Sequence, residues 1–141
     1  MKPDELAQAS LSHRLSVPLR FGDTDMQGHV NNAVFATLFE TGRVAFLYDR
    51  DAGMPPRGRN FVIAELNMRF LAEILYPGIV DVRSGVSCIG NASANLVQQL
   101  WVDDGLKATA TSTIVMIDTT KRTSIRIDDH SRAHLSQFLV Q

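Results

Sequence analysis

Residues 21–48 read FGDTDMQGHVNNAVFATLFETGRVAFLY, and this stretch decides the fold. Its first part is a polar loop that contains two aspartates, two glycines and a histidine. Its second part, residues 32–48, has apolar side chains at helical spacing around most of its circumference, as is typical of a buried helix. About 17 residues at about 1.5 Å each give a rod of roughly 25 Å, long enough to cross a small domain. We therefore predict a long buried helix that begins directly after the loop.

The start of this helix has a chemical consequence. Asn31 and Asn32 precede the apolar run, and Asn is a preferred N-cap residue. The first turn of a helix carries unpaired N–H groups and a partial positive charge. The sequence thus predicts that the polar loop lies at the end of the helix that can stabilise a developing oxyanion.

The remaining chain alternates between apolar and polar residues in several segments. Strands are predicted at 13–21, 60–71, 79–89, 93–102 and 106–118. A short helix is predicted within 128–139, with Asp128 or Asp129 as its cap and with Leu135, Phe138 and Leu139 facing inward. Gly90-Asn91 and Asp104-Gly105 are hairpin signals, so the last three strands should be antiparallel neighbours. The long helix is the only element that can cover one face of such a sheet. We predict an α+β fold, a curved antiparallel sheet wrapped around one long central helix, with a short C-terminal helix.

Two strands carry further expectations. Pro18 cannot donate a ladder hydrogen bond, which places the first strand at an edge or a bulge. In the second strand, alternation predicts one apolar face opposite Glu65, Asn67 and Arg69. That face would consist of Val62, Ala64, Leu66, Met68 and Phe70.

Composition excludes several classes of function. The chain of 141 residues is 45% hydrophobic with a formal net charge of -1, and no basic stripe suggests nucleic-acid binding. We expect a single domain at 13–141 after a flexible N-terminal arm at 1–12. One cysteine, and no apolar run near the roughly 20 residues of a membrane span, favour a soluble cytoplasmic protein. His13, His130 and His134 lie far from His29 in sequence, so no metal site and no cofactor are predicted. His130 and His134 are four residues apart on the predicted tail helix, but without an adjacent Glu motif we expect them to form a solvated face.

The run RFGDTDMQGHVNN, from Arg20 to Asn32, is similar to the signature of hot-dog-fold acyl-CoA thioesterases of the 4-hydroxybenzoyl-CoA thioesterase-like superfamily. The later Glu40-x-x-Arg43 also matches the common pattern, and the resemblance spans about residues 13 to 139. It implies a single hot-dog domain that hydrolyses an acyl-CoA thioester to a free acid and coenzyme A. It also implies a homodimer or homotetramer whose sheets pair across subunits, with the active sites at the interface.

The resemblance also implies roles for individual residues. The second acid of the D-x-D motif, here Asp25, would be the catalytic carboxylate, and backbone N–H groups around Val30 to Asn32 would polarise the thioester carbonyl. The alternative from the residues alone is that Asp25 only binds loop amides. The catalytic candidates are Asp25, Gly28, His29 and Asn32, and the substrate-binding candidates are Val30, Asn31, Glu40 and Arg69.

The neighbouring polar residues have simpler interpretations. Asp23 would fix the loop, and Gly28 would supply a positive φ or let the thioester approach the backbone. His29 could orient Asp25 or bind substrate, or be an ordinary hydrogen-bonded side chain. Glu40 and Arg43 would pair on the helix, with Glu40 as the backup carboxylate. The cations available for coenzyme A phosphates are Arg57, Arg59, Arg69, Lys121, Arg122 and Arg126.

Two other functions remain open from the sequence. A hot-dog enoyl-CoA hydratase or dehydratase would use an Asp/His pair such as Asp25 and His29, although the Asn-Pro that usually precedes the histidine is replaced by Gly28. A non-catalytic acyl-CoA-binding protein would keep the fold without turnover. The sequence does not choose among acyl groups, between coenzyme A and carrier-protein thioesters, between nucleophile and general base, or between dimer and tetramer.

Overall fold

A computed structural model describes residues 1–141 and contains one five-stranded antiparallel sheet with strand order β1-β3-β4-β5-β2. The predicted architecture is confirmed, since one long helix packs on the sheet. The strands are β1 His13–Pro18, β2 Arg59–Phe70, β3 Ile79–Ile89, β4 Ser93–Val102 and β5 Gly105–Asp118. The helices are α1 Pro3–Gln8, α2 Asn32–Leu47 and α3 Asp129–Ser136.

Helix α2 begins and ends close to the predicted positions. Asn31 is its N-cap, and the Asn31 side chain accepts a hydrogen bond from the backbone N–H of Ala33. The face of α2 turned to the sheet is apolar and approaches it closely at Gly42. A Cβ added at Gly42 would lie 2.5 Å from Cγ1 of Val82 on β3. The absence of a side chain there therefore sets the distance between helix and sheet.

One residue of α2 departs from the predicted pattern. The sequence predicts that Arg43 pairs with Glu40 on the helix, as an ion pair at the subunit interface, but only 7% of Arg43 is exposed in the single chain and no ion pair forms. Its guanidinium donates to Oε1 of Gln98 at 3.2 Å, and Gln98 in turn donates to the Phe39 carbonyl at 2.9 Å. Burial lowers the pKa of Arg43, and the charge of Glu40 opposes that shift. A polar network between the helix and the sheet is present instead of the predicted Glu40–Arg43 ion pair.

Strand β2 contains a bulge that the alternation did not predict. Its pairing with β5 shifts between Ile63 and Glu65, so Ala64 has no partner. After the bulge, Leu66, Met68 and Phe70 oppose small residues of the helix-facing side of β5, as predicted. Before the bulge, the predicted face is wrong, because Ile63 rather than Val62 lies on the side of the helix.

Strand β1 is shorter than predicted. It ends at Pro18, and residues 21–23 form a turn of 3-10 helix, which leaves Phe21 exposed instead of facing the core. The edge position predicted from Pro18 is confirmed by the strand order. The β4–β5 turn is also displaced by one residue, since its positive φ falls on Asp103.

The first twelve residues contain the short helix α1, which packs on the outer face of the sheet. Leu6 and Leu11 are buried with Val97 of β4. The side chain of Gln99 donates to the carbonyl oxygens of Leu6 and Ala9, at 2.6 and 3.0 Å. The flexibility predicted for this arm stays a prediction, because these contacts describe its position and not its motion.

Helix α3 anchors the chain to the C-terminal end of α2. Asp128 caps α3 as predicted, and Leu135 is buried, but Leu139 is exposed rather than inward-facing. Two histidines of α3 bind carbonyl groups that follow one another along the chain. His134 Nε2 lies 2.8 Å from the Phe46 oxygen, and His130 Nε2 lies 2.7 Å from the Ala52 oxygen. The predicted solvated face is therefore confirmed for His130, which is exposed, and wrong for His134, which is buried.

A third histidine belongs to the same end of the molecule. The ring of His13 packs against Phe46 and Phe138, with centroids 5.2 and 5.6 Å away. Its Nδ1 atom is buried without a hydrogen-bond partner. Burial lowers the pKa of His13, opposed by the charge of Asp49 and reinforced by His134.

None of the helices in the chain has the length and apolar character that a membrane span requires.

Candidate active site

The D-x-D loop is held by backbone hydrogen bonds. The Asp25 N–H donates to the His29 carbonyl at 2.8 Å, and Thr24 pairs with Val30 in an antiparallel bridge. Gly28 lies between these pairs with φ of +78°, and a Cβ there would meet no atom within 4 Å. Gly28 thus supplies the left-handed conformation that closes the turn, which is one of its two predicted roles.

The carboxylate of Asp25 is exposed and asymmetrically bound. Its Oδ1 atom accepts hydrogen bonds from the N–H groups of Gln27 at 2.8 Å and His29 at 3.1 Å. Its Oδ2 atom accepts none within the chain. One oxygen therefore fixes the orientation of the carboxylate, and the other is free to react.

Asp23 has the supporting role that its position suggested. Only 7% of the residue is exposed, and its two oxygens accept from the backbone N–H of Arg20 at 2.8 Å and from the Arg20 guanidinium at 3.0 Å. The backbone hydrogen bond from Arg20, with the guanidinium, holds the pKa of Asp23 below its usual range. Asp23 therefore stabilises the loop in its charged form.

Most of the backbone N–H groups predicted as oxyanion donors at the start of α2 already have acceptors within the chain. The Val30 N–H donates to the Ile74 carbonyl at 2.8 Å, and the Asn31 N–H donates to the Asp23 carbonyl at 2.9 Å. The Ala33 N–H donates to the Asn31 side chain at 2.9 Å. Of the three predicted N–H groups, only that of Asn32 has no acceptor within the chain.

A cavity of about 290 Å³ brings several predicted residues together. Phe35 and Phe70 form part of its apolar wall, with ring centroids 5.0 Å apart in an edge-to-face arrangement. The lining residues are Asp25, His29, Val30, Asn32, Phe35, Phe70, Leu71, Ala72 and Glu73. Asp25, the first residue of α2 and an apolar wall therefore line one cavity.

The segment after β2 completes this cavity and was not assigned to it from the sequence. Backbone pairs join Val30 to Ile74 and His29 to Leu75. This pairing brings Glu73 to the D-x-D loop, where its Oε2 atom lies 3.4 Å from Nε2 of His29. No local pattern around residue 73 signals the contact, because it depends on how two distant loops meet.

Other predicted residues lie elsewhere. Glu40 lines a separate groove between α2 and β2, with Arg43 and Ile63. Arg69 borders a cavity of about 220 Å³ on the outer face of the sheet. The remaining cations do not converge on the site, since they lie near the start of β2 and after β5. At about 3.3 Å per residue, the 12 residues of β2 separate its two ends by roughly 40 Å.

No three His, Cys, Asp or Glu side chains are grouped so that they could hold a metal ion. The site thus contains the Asp25 carboxylate, of which one oxygen is hydrogen-bonded, and the free N–H of Asn32. The His29 imidazole, the Glu73 carboxylate and an apolar wall complete it. Such a set can activate or replace a water nucleophile and stabilise an oxyanion.

Comparison with known families decides the identity. A family model described as thioesterase-like superfamily matches residues 19–135. The chain belongs to the thioesterase-like superfamily. The resemblance seen in the D-x-D loop is therefore confirmed, and at the level of this family the protein is a thioester hydrolase with a hot-dog fold.

Solved structures agree with a superfamily member of this fold. A predicted thioesterase from Bacillus stearothermophilus is 25% identical, with a TM-score of 0.81 over 91% of this chain and 96% of that chain. The PA5185 protein from Pseudomonas aeruginosa is 19% identical, with a TM-score of 0.84 over 93% and 94%. A DHNA-CoA thioesterase from Staphylococcus aureus is 20% identical, with a TM-score of 0.77 over 88% of each chain. A search among curated proteins gives no match.

Proposed function

We propose that this thioesterase-like protein hydrolyses an acyl-CoA thioester to the free acid and coenzyme A, with Asp25 as the reactive carboxylate. One observation carries the proposal: the unbound Oδ2 atom of Asp25 and the unpaired N–H of Asn32 belong to residues that line the same cavity. The apolar wall of Phe35 and Phe70 suits the acyl part of the substrate.

The chemistry follows from these two groups. Oδ2 either attacks the thioester carbonyl as a nucleophile or takes a proton from the attacking water. Both routes place negative charge on the carbonyl oxygen. The Asn32 N–H, at the positive end of α2, would donate to that oxygen as its charge develops.

The first test is thiol release from short, medium, long and aromatic acyl-CoAs by wild type and Asp25→Asn. The amide keeps an oxygen that can accept from Gln27 and His29, but it neither attacks nor takes a proton. We expect kcat/KM to fall by about 100-fold or more, which is the range for loss of a reacting group. Asp51→Asn, in the turn after the other end of α2, is the matched control and should keep wild-type activity.

Each other outcome of this assay has a definite meaning. Asp25→Asn with wild-type activity would overturn the assignment and make Glu40→Gln the next variant. Wild type that hydrates an enoyl-CoA but releases no thiol would favour a hydratase. Binding of acyl-CoA without any turnover would favour a binding protein.

We also infer that two copies pair along β2. This strand is at an edge of the sheet, so one side of its backbone is unpaired. It is also unusually apolar for an exposed edge, with Ile63 47% and Phe70 49% exposed, and Val44 of α2 is exposed beside it. An edge of this kind favours pairing with a second chain, which would cover the groove above Arg43.

Light scattering tests this inference. We expect a particle of two or four times the chain mass of 15.6 kDa, with Ile63→Glu shifting it towards one chain mass. Ile79→Glu is the matched control, since Ile79 is also exposed but lies on β3. Monomeric wild type at micromolar concentration would contradict the inference.

The exposed, unpaired Cys88 suits a reducing compartment, and we propose that the protein works in the cytoplasm.

A further inference from the structure

The active-site cavity contains two polar side chains that the proposed chemistry does not use. His29 follows Asp25 in the D-x-D loop, and Glu73 comes from the segment after β2. Their closest atoms, Nε2 and Oε2, are 3.4 Å apart, and both side chains border the space that also contains the Asp25 carboxylate.

The backbone holds this pair in place. His29 bridges to Leu75, and its neighbour Val30 donates to the Ile74 carbonyl at 2.8 Å. The His29 N–H also donates to Oδ1 of Asp25 at 3.1 Å. Glu73 and Asp25 are therefore positioned relative to the same imidazole by main-chain contacts on both sides.

The nucleophilic route creates a need that this pair can meet. Once Asp25 has attacked the thioester, its carboxylate is part of an acyl-enzyme anhydride and cannot accept a proton from water. Hydrolysis of that anhydride requires another base in the cavity. Imidazole is the side chain best suited to accept and return a proton near neutral pH.

We propose that Asp25 is the nucleophile, that His29 is the base of the water-dependent step, and that Glu73 is a positioning residue for His29. This inference rests on the proposed thioesterase function and names the order of its steps. Glu73 holds the Nε2–H tautomer, which leaves Nδ1 as the acceptor for a water proton. The 3.4 Å contact is longer than an aligned hydrogen bond, as catalytic contacts often are before substrate binds.

The steps balance without any other reactant. Oδ2 of Asp25 bonds to the acyl carbon, the carbon–sulfur bond breaks, and coenzyme A leaves as a thiolate. Water then loses a proton to Nδ1 of His29 as its oxygen bonds to the acyl carbon. The anhydride breaks to give the free acid and regenerate the Asp25 carboxylate. The imidazolium then loses its proton to solvent, and the thiolate that left in the first step takes up a proton from solvent, so thioester and water give acid and thiol.

The test compares the first turnover with the steady state in wild type, Glu73→Gln, His29→Gln and the double variant. The substrate is the acyl-CoA that wild type hydrolyses fastest. With the base misplaced, we expect Glu73→Gln to release one equivalent of thiol per site at the wild-type rate and then turn over about 10-fold more slowly. KM should change by less than about twofold in this variant. His29→Gln should lower the steady-state rate by about 100-fold.

The double variant separates positioning from an independent effect. Because Glu73 acts through His29, the double variant should be no slower than His29→Gln alone. Losses that multiply would overturn the positioning role, as would an effect on KM alone. A first turnover that is slowed as much as the steady state would overturn the assignment of the pair to the second step.

The same series distinguishes this inference from the proposed function. If Asp25→Asn stops thiol release while Glu73→Gln and His29→Gln keep wild-type kcat, only the role of the pair is wrong. If Asp25→Asn keeps its rate, the proposed function fails and the pair with it. Glu73 has a side chain that is 69% exposed, so its substitution should leave the thermal transition unchanged, which a melting curve verifies.

Discussion

The two ends of helix α2 differ in whether their polar backbone groups have hydrogen-bond partners within the chain. At the N-terminal end, the Asn32 N–H has no acceptor and the nearby Asp25 carboxylate is exposed. At the C-terminal end, the Phe46 carbonyl is bound by buried His134, and the Ala52 carbonyl in the following turn is bound by His130. Phe46 is fully enclosed there by His13 and Phe138.

Because of this difference, the N-terminal end of the helix is suited to catalysis and the C-terminal end to stabilising the fold. A free donor at the positive end is useful only if it is left for the substrate. At the negative end, side chains that donate to the last carbonyls favour the folded state. We call the N-terminal end of α2, at Asn31 and Asn32, the open end, and the C-terminal end, around Phe46, the closed end. Substitutions at the open end should therefore change the rate of hydrolysis, and substitutions at the closed end should change the free energy of unfolding.

The largest effect should come from His134→Ala. This change leaves the buried Phe46 carbonyl without its donor and removes a ring that packs against Phe138. We expect a loss of about 2–3 kcal/mol in the free energy of unfolding, or roughly 6–12 °C in the melting temperature. Below the transition, kcat should stay within about twofold of wild type.

His130→Ala is the matched control on the same helix. His130 is exposed, so loss of its contact with the Ala52 carbonyl should cost about 0.5–1.5 kcal/mol. Equal destabilisation by both variants, or a selective loss of kcat in His134→Ala, would remove the distinction between the two ends of α2.

The closed end should also make stability depend on pH. Burial lowers the pKa of His13, so the unfolded chain binds more protons than the folded one below the ordinary value of about 6.5. This contribution to stability is present above about pH 6.5 and declines as the pH falls from there through the lower folded pKa. For one proton, the slope cannot exceed about 1.4 kcal/mol per pH unit.

Melting curves of wild type and His13→Phe between pH 7.5 and 5 test this expectation. Phe keeps an aromatic ring against Phe46 and Phe138 but does not titrate. The wild-type melting temperature should fall more steeply than that of His13→Phe in this range. The charged groups that face His13 are Asp49 and His134, and both are kept in His13→Phe, so parallel curves would show that His13 is not the source of the pH dependence.

The smallest effect should come from the cap at the open end. Asn31→Ala removes the acceptor for the Ala33 N–H and should cost about 1 kcal/mol, whereas Asn31→Ser keeps a capping oxygen and most of the stability. Both variants leave the backbone N–H of Asn32 in place. A loss in Asn31→Ala as large as that of His134→Ala, measured by thermal melting, would show that the open end also carries the stability of the helix.

The contrast between the ends also explains which features the sequence could predict. The start of α2, the Asn31 cap and the D-x-D loop follow from local patterns, and all lie within about ten residues of one another. The pairing of β4 with β3 and β5 follows from hairpin signals, and the packing of α2 follows because one face of the sheet must be covered. The positions of β1 and β2 at the two edges were not predicted as an order. Local rules therefore suffice for most of the open end and for the architecture.

The features that sequence analysis missed depend on contacts between distant segments. Glu73 reaches the cavity because Ile74 and Leu75 pair with the D-x-D loop. Arg43 is buried because Gln98, far away in sequence, offers an acceptor beneath the helix. The donors at the closed end come from α3, more than 80 residues after the carbonyl that His134 binds. Periodicity describes which way a side chain points but not what it meets.

The bulge at Ala64 changes the helix-facing positions of β2 from odd to even residue numbers. Phe61 and Ile63 before it, and Leu66 and Phe70 after it, all oppose β5 residues of the helix-facing side, although their numbers change parity. The ladder would be regular without Ala64, because Ile63 opposes Ile114 and Glu65 opposes the next residue of β5. The bulge therefore absorbs Ala64 and keeps the apolar side chains of both halves of β2 on the helix-facing side. If Ala64 instead paired in a regular ladder, either Phe70 at the wall of the cavity or Phe61 in the core, nine residues away, would turn outward. A bulge at one residue thus lets one strand serve both ends of the helix.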